Sequence, residues 1–346
     1  MSAATLDYPV ASPPPIGGAL DLGCGVRWLR LPVPGGLRHI NVWLLADADG
    51  WTLVDTGMDV PASREAWEGP LDAALAARPI RRIYCTHHHP DHAGLAAWLA
   101  ARHGAVVYLG AAEERLMRLL LDTAENPSAQ AARLAAFARD GLVATDEMRP
   151  FLAVRGYRSV MSGIPPEIRR YGDGDEFIAG GVRWVARLAR GHTDGQLLLH
   201  APEAGLLIAG DQVLPRITSN IGIYPERLDQ DPLASFLGSF AALEAIWPEP
   251  LVLPSHGDVF RGLRLRLAQL RAHHAATLET LAGIVTRPMT AAEVVPRLFR
   301  RELDPLNRML ALGETLAHLQ YLAGRGRLSV TEPSGEPRRY GPCTGV

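Results

Sequence analysis

Lysine is absent from this chain, and all 35 of its basic residues are arginine. Without an ε-amino group the protein cannot use a Schiff base or a lysine general base in catalysis. Cysteine is nearly absent too: Cys24, Cys85 and Cys343 are far apart, and none has the Cys-x-x-Cys spacing. This odd and dispersed set indicates neither a disulfide framework nor a thiolate zinc site.

The chain also lacks long apolar runs and a large excess of charge of one sign. No uninterrupted apolar segment reaches the length that spans a bilayer, and a start with Asp7 and prolines at 13–15 is not typical of a signal peptide. The formal net charge of −2 provides no global field that would demand nucleic acid or an anionic membrane as partner. We therefore expect a cytoplasmic globular protein that does not bind membranes.

The most informative segment present is Thr-His-His-His-Pro-Asp-His at 86–92, where four imidazoles and one carboxylate share a short turn. Residues 81–85 have the composition of a short buried strand, and residues 93–99 begin a helical pattern. Imidazole is the commonest ligand for borderline-soft metals, and a carboxylate among histidines suits a two-metal site. A solvated surface loop is the alternative, but a strand-to-helix loop holds ligands rigidly. We interpret this segment as half of a metal site.

Three isolated residues supply candidates for the other half. His192, Asp211 and His256 each follow a predicted strand and have glycine beside them. Glycine permits close approach of the backbone, which a metal ligand at the end of a strand requires. Each residue alone would more often be an ordinary surface or core residue, but the three together, after the histidine run, favour a shared site.

The order of predicted elements indicates an α/β protein with two sheets and helices outside them. We divide the chain into a loose arm (1–22), a main domain (23–260) with a helical insertion at about 111–170, and a C-terminal domain (261–346). The last domain is predicted to consist of helices followed by a small β-hairpin, an order that is typical of a winged helix.

With these motifs the chain resembles the metallo-β-lactamase superfamily, in its glyoxalase II-like branch. The resemblance covers about 26–257. It rests on the His-x-His-x-Asp-His run, Gly191-His192-Thr193, Gly210-Asp211, Ser255-His256-Gly257 and Asp55-Thr56-Gly57. It implies a four-layer αββα sandwich with the metals at the open edge between the sheets, carrying the helical insertion and a small winged-helix-like domain.

Carried over position by position, the resemblance implies a binuclear site. His87, His89 and His192 would hold the first metal, Asp91, His92 and His256 the second, and Asp211 would bridge the two. Asp55 would orient a ligand histidine through its ring N–H, and His88 would point away from the metals. Zinc is the ion that these ligands favour, and iron or manganese bind the same donors.

Such a site implies a metal-dependent hydrolase. A hydroxide bridging the two metals would attack an ester or thioester carbonyl of a small molecule, with Asp91 relaying a proton. Arg216 could bind a carboxylate or phosphate of the substrate, and Tyr224 could polarise its carbonyl. A surface arginine and a packing tyrosine are the alternatives.

The substrate stays open. Family members with a C-terminal winged helix include an endoribonuclease, so single-stranded RNA or a small phosphodiester is the second candidate. A third is a nucleic-acid-binding module, because residues 258–346 hold 13 arginines against 8 acidic residues. The helix at 306–320 carries little positive charge, however, so we favour a role in packing, homodimerisation or covering the active site.

Three relatives' activities are less favoured by particular residues. The glutathione-binding lysines of glyoxalase II cannot exist in this chain, and Leu214 stands where quorum-signal lactonases have a tyrosine. β-Lactam hydrolysis is the least favoured, because that branch usually lacks this full ligand set.

Overall fold

Two β-sheets stacked face to face form the centre of the molecule in the computed structural model, which describes residues 5–227 and 230–343. The first sheet runs in chain order through β1 (Ala19–Gly23), β2 (Val26–Val33), β3 (Arg38–Ala46), β4 (Trp51–Val54), β5 (Ile80–Tyr84), β6 (Val106–Tyr108) and β7 (Ile168–Arg169). Strands β1 to β4 pair antiparallel, and β4 to β7 pair parallel.

The second sheet has five strands. They are β8 (Glu176–Ala179), β9 (Val182–Ala189), β10 (Gln196–Ala201), β11 (Leu206–Gly210) and β12 (Leu251–Pro254). Their order in space is β12-β11-β10-β9-β8, and only β11 and β12 among them pair parallel. A separate hairpin near the end of the chain consists of β13 (Leu328–Thr331) and β14 (Arg339–Pro342).

Twelve helices in the described residues lie outside these sheets or follow them. They are α1 (Pro61–Glu68), α2 (Pro70–Leu75), α3 (Pro90–Ala93), α4 (Ala96–His103), α5 (Ala111–Glu125), α6 (Pro127–Arg139), α7 (Arg149–Leu152), α8 (Arg155–Arg158), α9 (Pro232–Glu244), α10 (Leu263–Ile284), α11 (Ala291–Leu298) and α12 (Pro305–Gly324). No helix in this part of the chain is both long and apolar enough to cross a membrane.

The alternation of side chains along β3 shows why the layers stack as they do. Ile40, Val42 and Leu44 point to one face and pack with residues of α1, α2 and α4. Trp43 points to the other face and joins Trp184 of the second sheet in the core between the sheets. Because the side chains of a strand alternate between faces, a strand apolar at both sets of positions must be covered on both sides. The predicted αββα sandwich is therefore confirmed.

The predicted helical insertion contains α5 to α8, but the chain returns to the first sheet before residue 170. Ile168 and Arg169 form β7 and pair with β6. The segment thus begins and ends at one edge of that sheet, next to the carboxyl end of β5.

The prediction of a loose arm over 1–22 is wrong for residues 5–22. β1 pairs antiparallel with β2. Farther upstream, the Asp7 and Arg261 main chains exchange two hydrogen bonds of 3.3 and 2.8 Å. These main-chain bonds attach the segment to β2 of the main domain and to Arg261, the first residue of the C-terminal region. Residues 1–4 lie outside the described part of the chain.

The C-terminal region consists of α10, α11 and α12 followed by the β13–β14 hairpin. Helix α11 begins with a capping box, in which the side chains of Thr290 and Glu293 each accept a hydrogen bond from the other's main-chain N–H. Helix α12 has ten buried residues out of twenty and contacts α7, α9, α10 and α11. It is therefore a central packing element of this region.

Candidate metal centre

The histidine run lies at the carboxyl end of β5, where the chain turns into the short helix α3. Pro90 is the first helical residue, a position that suits proline because its φ is fixed and no N–H is needed there. This turn places the buried Asp91 and His92 on α3, while His87 remains in the loop before it. The run is thus folded back on itself at one edge of the sandwich.

The first ligand group, a candidate set that could hold one metal ion, consists of His87, His89 and His192. The Nε2 of His87 lies 2.9 Å from Nδ1 of His89, and the Nε2 of His192 lies 3.3 and 3.2 Å from these two atoms. A tetrahedral zinc ion with bonds of about 2.0–2.1 Å separates its ligand atoms by about 3.3–3.4 Å. The two separations from the His192 Nε2 are close to this spacing, and the separation between His87 and His89 is shorter.

The second ligand group consists of Asp91, His92 and His256. The Asp91 Oδ2 lies 3.6 Å from the His92 Nε2 and 3.3 Å from the His256 Nε2. Asp211 lies between the two groups. Its Oδ1 is 3.5 and 3.6 Å from the same two nitrogens of the second group, whereas its Oδ2 is 3.6 Å from the His192 Nε2 of the first.

The polar atoms that converge here lack partners among the described residues. The His92 Nε2, the His256 Nε2 and the Asp211 Oδ1 are buried without a hydrogen bond. An unsatisfied buried polar group costs about 1–3 kcal/mol, so three in one place point to a missing ligand rather than to chance. All seven predicted ligands belong to His and Asp clusters that could hold a metal ion: His87, His89, Asp91, His92, His192, Asp211 and His256.

The protonation state of the first group favours metal binding. Burial, together with the neighbouring histidines, lowers the pKa of His87 and of His89 well below the usual value for imidazole. Both rings are therefore neutral near pH 7, the form that binds a metal. In the second group burial alone would raise the pKa of Asp91, but His92 and His256 outweigh it and hold that pKa at about 2. The donor set fits divalent metal ions, typically zinc.

Asp55 lies where it can orient candidate ligand histidines. Its Oδ2 accepts hydrogen bonds from the His92 Nδ1 at 2.8 Å and the Thr86 hydroxyl at 2.9 Å, and its Oδ1 accepts from the Thr86 N–H at 2.7 Å. Thr86 in turn lies 3.1 Å from the His87 Nδ1. One buried carboxylate therefore fixes a ring in each ligand group.

Two main-chain carbonyls fix the rings of His192 and His256. The Nδ1 of His192 donates to the Asn220 carbonyl at 2.9 Å, and the Nδ1 of His256 donates to the His39 carbonyl at 2.8 Å. Each bond places the hydrogen on Nδ1 and leaves Nε2 free for a metal. Sequence analysis missed both partners, because a main-chain acceptor leaves no mark in residue type.

His88 points away from the ligand groups, as predicted. Its Nδ1 lies 2.6 Å from the Glu113 Oε2, and the Glu113 Oε1 accepts from the Gly195 N–H at 2.8 Å. Glu113 is fully buried on α5. It links the histidine run to the start of β10, a role that its place in an ordinary helical pattern did not reveal.

Arg227 is a second residue that sequence analysis missed. Its buried guanidinium donates to the carbonyls of Gly191, His192 and Gly222 at 2.9, 3.1 and 2.9 Å, and to the Asp194 carboxylate at 3.0 Å. The planar fork of arginine suits such divergent acceptors. Arg227 therefore fixes the main chain around the ligand His192.

The two predicted substrate contacts differ in their surroundings. The Arg216 side chain is 71% exposed and lies 3.9 Å from the Asp258 carboxylate. The Tyr224 hydroxyl donates to the Asn220 Oδ1 at 2.6 Å, and its ring lies against Gly222 and Gly313. These contacts give Tyr224 a packing role beside the metal ligands. Substrate binding by either residue stays a prediction.

Family models match most of the chain. The model described as "Metallo-beta-lactamase superfamily" matches residues 35–256, and "Metallo-beta-lactamase-like, C-terminal domain" matches residues 278–343. The chain therefore belongs to the metallo-β-lactamase superfamily, as a metallo-hydrolase whose His and Asp clusters can bind metal.

Particular relatives agree over nearly the whole length. A β-lactamase domain protein from Burkholderia ambifaria is 38% identical with a TM-score of 0.87, covering 98% of each chain. The metallo-β-lactamase family protein TTHA1429 from Thermus thermophilus is 31% identical with a TM-score of 0.80, covering 93% of this chain and all of the other. The probable metallo-hydrolase YqjP of Bacillus subtilis (strain 168) is 24% identical over 314 residues, 85% of this chain and 91% of its own.

Proposed function

We propose that the protein hydrolyses an ester or thioester bond in a small molecule, using two divalent metal ions, of which zinc is the first candidate. The placement of Asp211 carries this proposal, because its Oδ2 faces the first ligand group and its Oδ1 faces the second. A carboxylate shared in this way suits two adjacent ions. When bound, such ions supply hydroxide near neutral pH and stabilise negative charge on a carbonyl oxygen.

The protein's own residues hold the site and move the proton. Asp91 is ionised, and its Oδ2 lies at the edge of the second group, 3.3 Å from the His256 Nε2. A lone pair of this carboxylate can accept the proton of the attacking water and return it to the leaving oxygen or sulfur. Asp55, Asn220 and His39 keep the histidine rings in one orientation through their hydrogen bonds.

The C-terminal region supports a small-molecule substrate over nucleic acid. A winged helix would present its second helix to a groove with phosphate-binding side chains on one face. Helix α12 instead has half of its residues buried, and Arg308 is its only basic residue besides His318, which is buried. We infer that this region packs against the main domain, and homodimerisation through it stays a prediction.

A substrate panel tests the proposal. Protein with measured zinc content is assayed on a short-chain acyl-CoA, p-nitrophenyl acetate, bis(p-nitrophenyl) phosphate and a fluorescent single-stranded RNA. We expect the thioester or ester to give the highest kcat/KM, and Asp211→Asn to lower it by at least about a hundredfold. Asp49→Asn, at an exposed hairpin turn, is the matched control and keeps full activity. Cleavage of the diester or the RNA without cleavage of the esters would overturn the proposal.

A further inference from the structure

Residues 220–224 form a loop that makes hydrogen bonds both to the candidate ligand His192 and to the C-terminal helix α12. The His192 ring depends on the Asn220 carbonyl, which accepts from Nδ1 at 2.9 Å and so directs Nε2 toward His87 and His89. The position of Asn220 therefore sets the position of the ligand atom.

Helix α12 holds this loop at two points. The Ile223 N–H donates to the Gly313 carbonyl at 3.1 Å, and the Asn220 Nδ2 donates to the Leu310 carbonyl at 3.4 Å. Both carbonyls lie on α12, in the region matched by a separate family model. The loop that orients His192 is thus attached to an element outside the catalytic domain.

Tyr224 contacts both this loop and α12. Its hydroxyl donates to the Asn220 Oδ1 at 2.6 Å, and its ring lies between two glycines. A Cβ at Gly222 would come within 2.7 Å of the ring on one side, and a Cβ at Gly313 would come within 2.7 Å on the other. Because both glycine backbones lie this close to the ring, a side chain at either position would push against it.

We propose that Tyr224 is a positioning residue for His192, and that Gly313 of α12 holds Tyr224 in place, so that the C-terminal helices set the affinity of the first ligand group for its ion. The inference rests on the metal centre of the proposed function but not on any substrate. It assigns α12 a role at the site without placing it in contact with the reacting atoms.

Zinc binding measured by competition with a chromophoric chelator tests this inference. Gly313→Ala adds a methyl group against the Tyr224 ring, whereas Tyr224→Phe removes the hydrogen bond to Asn220 without adding bulk. We expect each change to lower the affinity for one of the two zinc ions by about tenfold or more and to leave the affinity for the other unchanged. Gly324→Ala is the matched control on the same helix, because a Cβ there meets no atom within 4 Å, and it should bind zinc as the unchanged protein does.

Thermal unfolding of the metal-free proteins separates positioning from a general loss of stability. Selective weakening of one ion in Tyr224→Phe, with the unfolding temperature near that of the control, supports the inference. Equal zinc affinities in all variants would overturn it while leaving the proposed hydrolase intact. Parallel loss of both ions with a lower unfolding temperature would show a merely structural role. An unchanged protein that binds no zinc would overturn the metal centre itself.

Discussion

At the residue scale, the ligand histidines depend on partners that hold their rings. Asp55 is 1% exposed and has a φ of 61°, in the left-handed region that a non-glycine residue rarely adopts. Its carboxylate binds both His92 and Thr86. Backbone strain at a residue with such bonds is compatible with a role in orienting ligands, since the bonds offset the cost.

Asp55→Asn tests this role. An amide cannot accept from all three donors that surround the carboxylate, so the His92 ring loses its fixed tautomer. We expect the affinity for zinc to fall by about 10–100-fold, measured by competition with a chelator. Asp49→Asn serves as control, because Asp49 lies at an exposed turn where its side chain is 72% accessible. An unchanged affinity in Asp55→Asn would show that the ring orientation does not depend on this bond.

The residues of the site fall into two groups according to what the sequence could reveal. The seven predicted ligands and Asp55 lie together in the structure because each sits in a short motif with glycine or histidine beside it. Asn220 and His39 were not predictable, because they act through main-chain carbonyls. Arg227 and Glu113 were missed because their bonds depend on distant segments that meet only in the folded chain.

At the element scale, glycine determines how closely α9 approaches the loop that carries His192. Gly191 has a φ of +112°, and a Cβ there would lie 2.4 Å from the Phe236 Cβ and 2.6 Å from its Cα. Phe236 is a fully buried residue of α9. Because the obstructing atoms include the main chain of a helix, they cannot yield without moving the whole element.

Gly191→Ala is therefore expected to lower the free energy of unfolding by at least about 2 kcal/mol, through both contact and backbone strain. Urea unfolding measures the change. Gly181→Ala is the matched control: its φ is +71°, but a Cβ there meets nothing within 4 Å. That variant should lose only about 1–2 kcal/mol, the cost of the left-handed backbone. Equal losses in the two variants would rule out the proposed contact with Phe236.

Local patterns predicted most elements and failed at a few particular junctions. The strand predicted at 81–85 and the helix predicted at 306–320 agree closely with Ile80–Tyr84 and Pro305–Gly324, because periodicity acts locally. Between β4 and β5 the chain forms two helices rather than one, because Gly69 and Pro70 interrupt the hydrogen-bond pattern between them. Strand β1 was missed although its pairing with β2 is local, through the two-residue turn Cys24-Gly25, because the strand contains no β-branched residue.

At the scale of the whole molecule, the C-terminal helices are joined to the catalytic sandwich by one continuous core. Phe236 of α9, Leu267 of α10 and Leu316 of α12 belong to the same buried cluster as Leu207 of β11. Two histidines lie inside this core, fully buried, at the contact of α10 with α12. His274 Nδ1 and His318 Nε2 are 3.1 Å apart.

The hydrogen bonds of this pair require the His318 ring to be neutral, and the low pKa of His274 keeps that ring neutral as well. The His318 Nδ1 donates to the Glu314 carbonyl at 2.8 Å, so its Nε2 accepts the hydrogen of the His274 Nδ1. Burial, with the neighbouring His318 and His273, lowers the pKa of His274 to about 3. Burial also lowers the pKa of His318 to about 4, against a smaller opposing effect of its bond to Glu314.

Acid should therefore destabilise the molecule through these two residues. In the unfolded chain both histidines take up a proton near pH 6.5, whereas the folded protein resists protonation until the pH nears 4 and then 3. The unfolded state thus binds more protons below pH 6.5, and the free energy of unfolding falls through this window, by about 4 kcal/mol at pH 5 for the pair.

Urea unfolding at pH 7.5 and pH 5 measures this loss. The double variant His274→Leu and His318→Leu should lose about 4 kcal/mol less than the unchanged protein, because the metal ligands and carboxylates titrate equally in both. The same pH dependence in the two proteins would show that the buried pair does not control acid stability.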